Sequence, residues 1–354
     1  MSLPFLHPYI GLSSGLNTRQ AASGGVGGWV ELGRTTLGSA AASINVSSLA
    51  NKRYLMVLMD HGRTGTGAGG TNLNGDTGSN YAFRYSINGA ADSTGVSDTR
   101  IFNQSNGSNV WRDFMVSYMA NYSTKEKLVI EHLVENQNGA ANAPDRFETF
   151  GKHAQTSNPI SSVQQTTNTT YTTGSEIVVL GWDPADTHTD NFWTELASVN
   201  WSSGATIDSG VFTAKKYLWI QAYLDSDTTG GYDRIRVGNA TIDTGANYSG
   251  RYSIDGGADG TQVSSADNFF PSDGAGSASR KVFTNIFVVN VSANEKLFIG
   301  SSIFYYTAGA GTAPRRTEWV MKWANTSNQI NRVDFNRSAG NYEGSTTLRV
   351  WGSN

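Results

Sequence analysis

Four carboxylates in the first half of the chain are best suited to acid–base chemistry: Glu126, Glu131, Glu135 and Glu148. A glycoside hydrolase would need two of them to face each other at about 5 to 10 Å across a cleft. Glu126 and the equivalent Glu295 each sit beside a lysine at the start of a hairpin strand, which predicts a solvated position. No Ser-His-Asp set and no nucleophile elbow accompanies them in the sequence. The sequence therefore favours a protein that is not an enzyme.

Two acidic segments place oxygen ligands at the alternating spacing found in calcium loops. Asn72, Asn74 and Asp76 form one segment, and Asp225 and Asp227 form the other. In the first segment a threonine stands where a calcium loop has its glycine, and no glutamate follows at the ligating distance. Surface turns are the expected structures. A structural cation in the 72–76 or 225–227 loop stays open as the alternative.

Histidines and a polar linker give two more groups that could ligate a metal. His132 and His153 lie in the first half, and the residues that match them in the second half are Ser301 and Trp323. A metal site common to both halves is therefore excluded, and we expect surface or partly buried imidazoles. A second group lies in the linker and consists of Asp183, Asp186, His188 and Asp190. Such residues are typical of solvated linkers, so we predict neither a metal nor a cofactor.

Glycine and tryptophan patterns have simpler explanations than ligand binding. Residues 65–70 match G-x-G-x-x-G, but dinucleotide binding needs a helix to follow, and the next residues predict a loop. Exposed tryptophans could form a platform for sugars, whereas those inside strands are expected in a core or an interface. The candidates are Trp111, Trp182, Trp201, Trp219, Trp319, Trp323 and Trp351.

The elements that must position these residues occur twice. Residues 80–92 recur as residues 247–259, an offset of 247 − 80 = 167, and residues 126–130 recur as 295–299, an offset of 295 − 126 = 169. Because the offset drifts by so little, the insertions between the copies are short. The pattern indicates a tandem duplication of a whole domain rather than a short solenoid repeat.

Each copy reads as a series of short strands. Residues 53–59 and 216–223 are rich in β-forming residues, and hairpins are predicted at residues 121–124 and 292–294. We expect about eight to ten strands in each copy and no long amphipathic helix. The predicted fold class is all-β, with two tandem antiparallel, jelly-roll-like β-sandwich domains that arise from an internal duplication.

We expect an extended N-terminal arm at residues 1–28, a first sandwich at 29–185, a linker at 186–192 and a second sandwich at 193–354. Because the linker is short, the two sandwiches should lie close together. The arm either docks on its own domain or reaches a neighbouring subunit. If the second holds, deleting residues 1–28 leaves folded domains that no longer assemble.

Composition narrows the function. The chain has 16% charged residues and a net charge of −3, with no basic run, so we expect no direct nucleic-acid binding. The absence of cysteine excludes disulfides and thiol nucleophiles. No run approaches about 18 apolar residues, and the N-terminus lacks the pattern of a secretory signal. We therefore predict no membrane span and no signal peptide.

The repeated unit resembles structural proteins of tailed bacteriophages. The resemblance covers residues 29–354 and rests on the Trp-x-Glu-Leu start, the Glu-Lys-Leu-x-Ile hairpin and the stretch Ala-Pro…Lys-x-Ala-x-Thr-Ser-Asn. It implies a virion component, most simply a capsid decoration protein or a head or tail appendage, that contacts other virion proteins. It carries over no catalytic residue. Such assemblies are usually symmetric homo-oligomers, and a homotrimer is favoured.

Two other functions stay open. Double-jelly-roll capsid shell proteins also carry two tandem sandwiches in one chain, although the halves here are unusually alike. A lectin-like tandem module that binds a host-surface glycan would instead require a shallow groove with two or more exposed tryptophan or tyrosine rings. The virion interpretation places the protein in the particle after synthesis in the host cytoplasm.

Overall fold

The computed structural model describes residues 28–104, 112–186, 191–227, 231–265, 280–305 and 307–354. The described residues form β-strands and turns without helices, which confirms the predicted fold class. The strands of the first copy are β1 (Val30–Thr36), β2 (Ala41–Ser47), β3 (Tyr54–Gly62), β4 (Gly69–Leu73), β5 (Tyr81–Ile87), β6 (Ser93–Asp98), β7 (Ile101–Gln104), β8 (Arg112–Ala120), β9 (Lys127–Glu135), β10 (Asp145–His153), β11 (Ser162–Tyr171) and β12 (Glu176–Trp182).

The second copy repeats this series. Its strands are β13 (Thr194–Asn200), β14 (Thr206–Asp208), β15 (Tyr217–Asp225), β16 (Asp233–Asn239), β17 (Thr241–Ile242), β18 (Tyr248–Ile254), β19 (Gly260–Ser265), β20 (Lys281–Val289), β21 (Lys296–Tyr305), β22 (Arg315–Trp323), β23 (Arg332–Arg337) and β24 (Thr347–Ser353). Several short edge strands, such as β14 and β17, were not expected because they carry too few apolar residues to show alternation.

Each copy is a sandwich of a large and a small antiparallel sheet. The large sheets have the strand orders β1-β12-β3-β8-β9-β10-β5-β6 and β13-β24-β15-β20-β21-β22-β18-β19. The small sheets have the orders β2-β11-β4-β7 and β14-β23-β16-β17. The copies differ at one edge of the small sheet. In the first copy the edge strand is β7, which follows the β5–β6 hairpin in the chain. In the second copy it is β17, which precedes the equivalent β18–β19 hairpin.

Identical turn chemistry fixes the same hairpin in both copies. Asn88 and Gly89 connect β5 to β6 with φ of 54° and 70°, and Asp255 and Gly256 connect β18 to β19 with φ of 54° and 74°. Two successive residues with positive φ are the pattern of a type I′ turn, for which Asn-Gly and Asp-Gly are the preferred pairs. The two dipeptides therefore begin equivalent turns after β5 and β18.

Three apolar clusters hold the molecule together. One fills the first sandwich around Val57, Leu133 and Val179, and another fills the second around Ile220, Phe298 and Val350. The third lies between the sandwiches, because the outer faces of the two large sheets pack on each other. This interdomain cluster contains Met56, Leu58, Phe114, Val116, Val134, Val178, Leu180, Phe192, Trp193, Tyr217, Phe287, Val289, Leu297, Ile299, Val320 and Trp351.

The linker is held at its ends. The backbone N–H of Phe192 donates to the carbonyl of Trp29 at 2.7 Å, and the N–H of Gly28 donates to Asn191 Oδ1 at 2.9 Å. The predicted arm lies outside the described residues, apart from Gly28. Within the described part of the chain, no helix is long and apolar enough to cross a membrane.

Candidate functional site

A cluster of charged side chains lies inside the first sandwich. His61, Arg63, Asp113 and Glu135 all have 0% exposure. Asp113 Oδ2 lies 3.1 Å from both His61 Nε2 and Arg63 Nε, and Arg63 Nη2 lies 2.6 Å from Glu135 Oε2. Burial and the neighbouring charge of Asp113 raise the pKa of Glu135 to about 9. The cluster therefore places the Arg63 guanidinium between two buried carboxyl groups, those of Asp113 and Glu135.

Glu131 forms a second buried polar group one layer away. Its carboxylate accepts hydrogen bonds from Thr71 Oγ1 at 2.6 Å and Asn103 Nδ2 at 3.0 Å. Burial raises the pKa of Glu131 to about 7, and these hydrogen bonds limit the rise. Glu131 and Glu135 thus lie among the packed strands of the sandwich rather than facing each other across a cleft.

The same interior positions are apolar in the second copy. The pairing of β8 with β9 matches that of β20 with β21, so Asp113 corresponds to Val282, Glu131 to Gly300 and Glu135 to Phe304. The space beside Gly300 is filled by Trp319, its cross-strand partner, where the first copy has Thr149. Buried ion pairs seldom stabilise a protein more than hydrocarbon of the same volume does, so the fold itself does not require these charges.

Sequence reasoning missed His61, Arg63 and Asp113 as members of this cluster. A comparison of the two copies could have found them. A charged residue in one copy that is replaced by an apolar residue at the equivalent strand position of the other indicates that the two interiors differ. His61 corresponds to Leu224 in the same way, since β3 and β15 share their register against the next strand.

The first acidic loop uses its oxygens in hydrogen bonds. Asn74 Oδ1 accepts from the backbone N–H of Ser161 at 2.7 Å, and Asp76 Oδ2 lies 2.8 Å from His153 Nε2. Burial would raise the pKa of Asp76, but its hydrogen bonds, that to His153 foremost, hold the pKa below its ordinary value. The expectation of a surface or partly buried His153 is wrong, because the ring is 1% exposed and stacks on Tyr81. His153 is buried to close this loop.

The second acidic loop and the linker are similarly engaged. Asp225 bonds Lys281 and Ser345, and Asp227 Oδ1 accepts from the backbone N–H of Asn341 at 2.8 Å. Asp186 bonds Lys52, whereas His188 and Asp190 lie outside the described residues. In the segments that the structure describes, no group of three or more His, Asp or Glu side chains is arranged to hold a metal.

Of the other three glutamates singled out in the sequence, Glu126 and Glu148 lie at or near the surface and Glu295 does not. Glu126 pairs with Lys152 at 2.9 Å, and Glu148 pairs with Arg146. The predicted solvated position of Glu295 is wrong, since Glu295 is only 7% exposed. It is buried because the first domain covers it, a contact that strand periodicity cannot show.

Polar contacts surround the interdomain cluster. Glu176 Oε1 accepts from Tyr217 Oη at 2.9 Å and from Lys216 Nζ at 3.0 Å. Burial would raise the pKa of Glu176, but the hydrogen bond from Thr36 and then the charge and hydrogen bond of Lys216 hold the pKa below its ordinary value. At another edge Arg146 Nη2 lies 2.7 Å from Asp259 Oδ1. These contacts fix one relative orientation of the sandwiches.

A groove of about 480 Å³ remains open on the outer face of the first large sheet. Tyr54 and Trp182 stack at 5.4 Å between ring centroids on one wall. Leu128 and Ile130, which are 58% and 42% exposed, form another wall. The complete lining consists of Trp29, Tyr54, Leu55, Tyr118, Met119, Ala120, Leu128, Ile130 and Trp182. Only phenol oxygens and indole nitrogens supply polar side-chain atoms there.

The other tryptophans are mostly internal. Trp319 and Trp323 lie in the second core, Trp201 packs against it, and Trp219 and Trp351 lie at the interdomain cluster. Trp111 lies outside the described residues. The G-x-G-x-x-G match at 65–70 runs into strand β4 rather than a helix. Of the predicted tryptophans, Trp182 is therefore the one that the described structure places in an open groove.

The fold and these sites define a tandem β-sandwich protein whose copies differ in their interiors and in how much of their outer faces is covered. No family model and no curated protein matches the chain significantly. Among solved structures, domains LG4-5 of the mouse laminin alpha1 chain align at 10% identity and TM-score 0.17 over 93% of this chain and 91% of that one. Neisserial surface protein A aligns at 8% identity and TM-score 0.11 over 84% and 98%. Such low TM-scores carry no argument.

Proposed function

We propose that this protein is a structural component of a virion, most simply a capsid decoration protein or a head or tail appendage, that assembles as a symmetric homo-oligomer. The observation that carries the proposal is the packing of the two large sheets on each other through the interdomain cluster. It joins the duplicated sandwiches into one block through their broad sheet faces, which supports a role for such faces in assembly. Interfaces that are apolar at the centre and ion-paired at the edge are typical of permanent assemblies.

The positions of the carboxylates support a structural role. Glu131 and Glu135 lie inside the sandwich, whereas Glu126 and Glu148 each pair with a neighbouring cation. Acid–base hydrolysis needs two carboxyl groups on opposite sides of a bound substrate, and these four do not form such a pair.

The test uses a culture of cells that carry the gene for this chain. Particles released from the culture are separated on a density gradient, and the fractions are analysed by mass spectrometry. We expect the protein in the particle peak at a fixed copy number. Deleting residues 1–28 should leave the sandwiches folded and abolish attachment. Finding the protein only among free soluble proteins would contradict the virion role, and normal attachment of the truncated chain would contradict anchoring by the arm.

A glycan-binding module is the second candidate, and the groove at Tyr54 and Trp182 favours it because sugar rings stack on aromatic faces. Sugar recognition also needs polar groups that fix orientation, and the groove offers few. Glycan-array binding that disappears in Trp182→Ala would support this candidate. The capsid-shell alternative predicts instead that the chain forms the bulk of the particle protein.

A further inference from the structure

The outer face of each large sheet carries two regions, which the duplication allows us to compare residue by residue. The hairpin patch lies next to the turn that joins the two central strands. In the second domain it is Tyr217, Phe287, Val289, Leu297 and Ile299, and in the first it is Tyr54, Tyr118, Ala120, Leu128 and Ile130. The distal patch lies at the other end of the same strands. In the first domain it is Leu58, Phe114, Val116, Val134 and Val178, and in the second it is Gln221, Phe283, Asn285, Ile303 and Arg349.

The contact inside the chain joins the distal patch of the first domain to the hairpin patch of the second. Phe114 and Tyr217 lie 6.3 Å apart between ring centroids, and both are buried. The other two patches, the distal patch of the second domain and the hairpin patch of the first, are exposed. Phe283 of the former is 44% exposed and Leu128 of the latter is 58% exposed. A twofold arrangement would cover both combinations at once. The pairing is therefore heterologous. It leaves one patch of each kind open except at Tyr118 of the hairpin patch, whose ring lies 6.4 Å from that of Phe287.

We infer that the open hairpin patch of the first domain binds the open distal patch of the second domain in another copy of this chain. The inference rests on the proposed assembly role and names the partner for it. Repeating the internal contact between chains would either close a ring of chains, such as the expected trimer, or extend into a filament. The exposed apolar groove at the hairpin patch is the kind of surface that is typical of interaction sites.

The exposed apolar side chains of the two open patches suit this pairing. The distal patch of the second domain is more polar than its covered equivalent, because Gln221, Asn285 and Arg349 replace three aliphatic residues. Phe283 and Ile303 of the distal patch are 44% and 47% exposed, and the neighbouring Tyr305 is 39% exposed. Leu128 and Ile130 of the hairpin patch are exposed as well. The groove holds no charged side chain, so it suits the apolar side chains of this sheet face better than it suits a sugar or an acidic peptide.

Charged residues at the edge of the internal contact have equivalents near the open patches. Arg146 and Asp259, which pair across the internal contact, correspond to Arg316 and Asp92, and these are exposed in the single chain. Glu295, which accepts from the N–H of Gly139, corresponds to the exposed Glu126. At least two contacts do not recur. Thr347 stands where Glu176 pairs with Lys216. Arg84 and Arg315, two like charges, stand where Arg251 pairs with Asp145. The contact between chains should therefore be weaker than the internal one and depend on concentration.

The test uses two variants, each of which blocks one patch. Leu128→Glu places a charge in the hairpin patch, and Phe283→Glu places one in the distal patch. Sedimentation velocity over a wide concentration range should show that the full-length chain self-associates and that either variant alone stays monomeric. An equimolar mixture should form one-to-one dimers that grow no further, because each variant keeps the patch that the other lacks. Val96→Glu, at a site 77% exposed in the edge strand β6, is the control and should associate like the unchanged chain.

Because the chain has no cysteine, the rim can be tested separately. Mixing Asp92→Cys with Arg316→Cys under mild oxidation should give a disulfide-linked heterodimer in preference to either homodimer. The inference is wrong if the unchanged chain stays monomeric at every concentration or if either Glu variant alone still associates. It is also wrong if the mixture of the two Glu variants yields no dimer. Protein found in purified particles together with such a result would leave the proposed function standing and remove this contact alone.

Discussion

Glu295 of the second domain accepts a hydrogen bond from the backbone N–H of Gly139 in the first domain, at 2.6 Å. It also lies 3.5 Å from Lys322 Nζ, which is fully buried. Burial lowers the pKa of Lys322, and the charge of Glu295 opposes that shift. Its equivalent in the first domain, Glu126, stays at the surface. The two residues thus provide a matched comparison between a covered and an open copy of the same position.

Glu295→Ala is expected to lower the free energy of unfolding by about 3 kcal/mol, because it leaves Lys322 buried without its carboxylate. Glu126→Ala removes an exposed pair, whose loss costs well under about 1 kcal/mol. Urea denaturation of dilute protein measures both. Equal effects of the two substitutions would show that the domains do not cover Glu295.

The raised pKa of Glu131 predicts a dependence of stability on pH. Its folded-state pKa of about 7 lies above the ordinary 4.5. Protonated Glu131 therefore makes its full contribution to the free energy of unfolding below pH 4.5, and this contribution is lost as the pH rises through 7. The loss amounts to about 3 kcal/mol. Glu131→Gln should flatten this part of the profile and stabilise the protein at pH 8. Glu126→Gln is the control, and an identical slope in all three proteins would refute the prediction.

Gly300 should tolerate no side chain. A Cβ at this position would lie 2.2 Å from the Trp319 ring, whereas a Cβ at Gly38 would meet nothing within 4 Å. Gly300→Ala is therefore expected to lower the free energy of unfolding by about 1–3 kcal/mol through overpacking, and Gly38→Ala should have little effect. Thermal unfolding measures the difference. An unchanged melting temperature for Gly300→Ala would mean that Trp319 does not fill this space.

Trp193 should be essential for the packing of the two sandwiches on each other. It is fully buried, and its ring lies 6.1 Å from Phe287 in the interdomain cluster. Trp193→Ala is expected to cost about 3–5 kcal/mol and to split the unfolding transition as the domains uncouple. Trp182→Ala, at the half-buried groove, should leave one transition. Differential scanning calorimetry distinguishes these outcomes, and a single unshifted transition for Trp193→Ala would contradict the role of the cluster.

The interior of each sandwich shows where prediction from sequence succeeded and where it failed. Strands such as β3 and β15 were expected because their apolar runs need two packed layers. The turns that join β8 to β9 and β20 to β21 fall where hairpins were predicted. The buried positions of His61 and Arg63 were not expected, since charged residues are rarely fully buried unless they are paired. Their partners come from distant strands.

The duplication, the all-β class and the main hairpins can be predicted from the sequence, because they depend on local alternation and turn chemistry repeated at a nearly constant offset. Which copy of each surface is covered depends on the packing of the two domains. Leu128 and Leu297 have the same chemistry at the same strand position, yet Leu297 is 0% exposed and Leu128 is 58% exposed. Strand periodicity specifies which face of a sheet a residue occupies, but what lies against that face depends on residues far away in the chain.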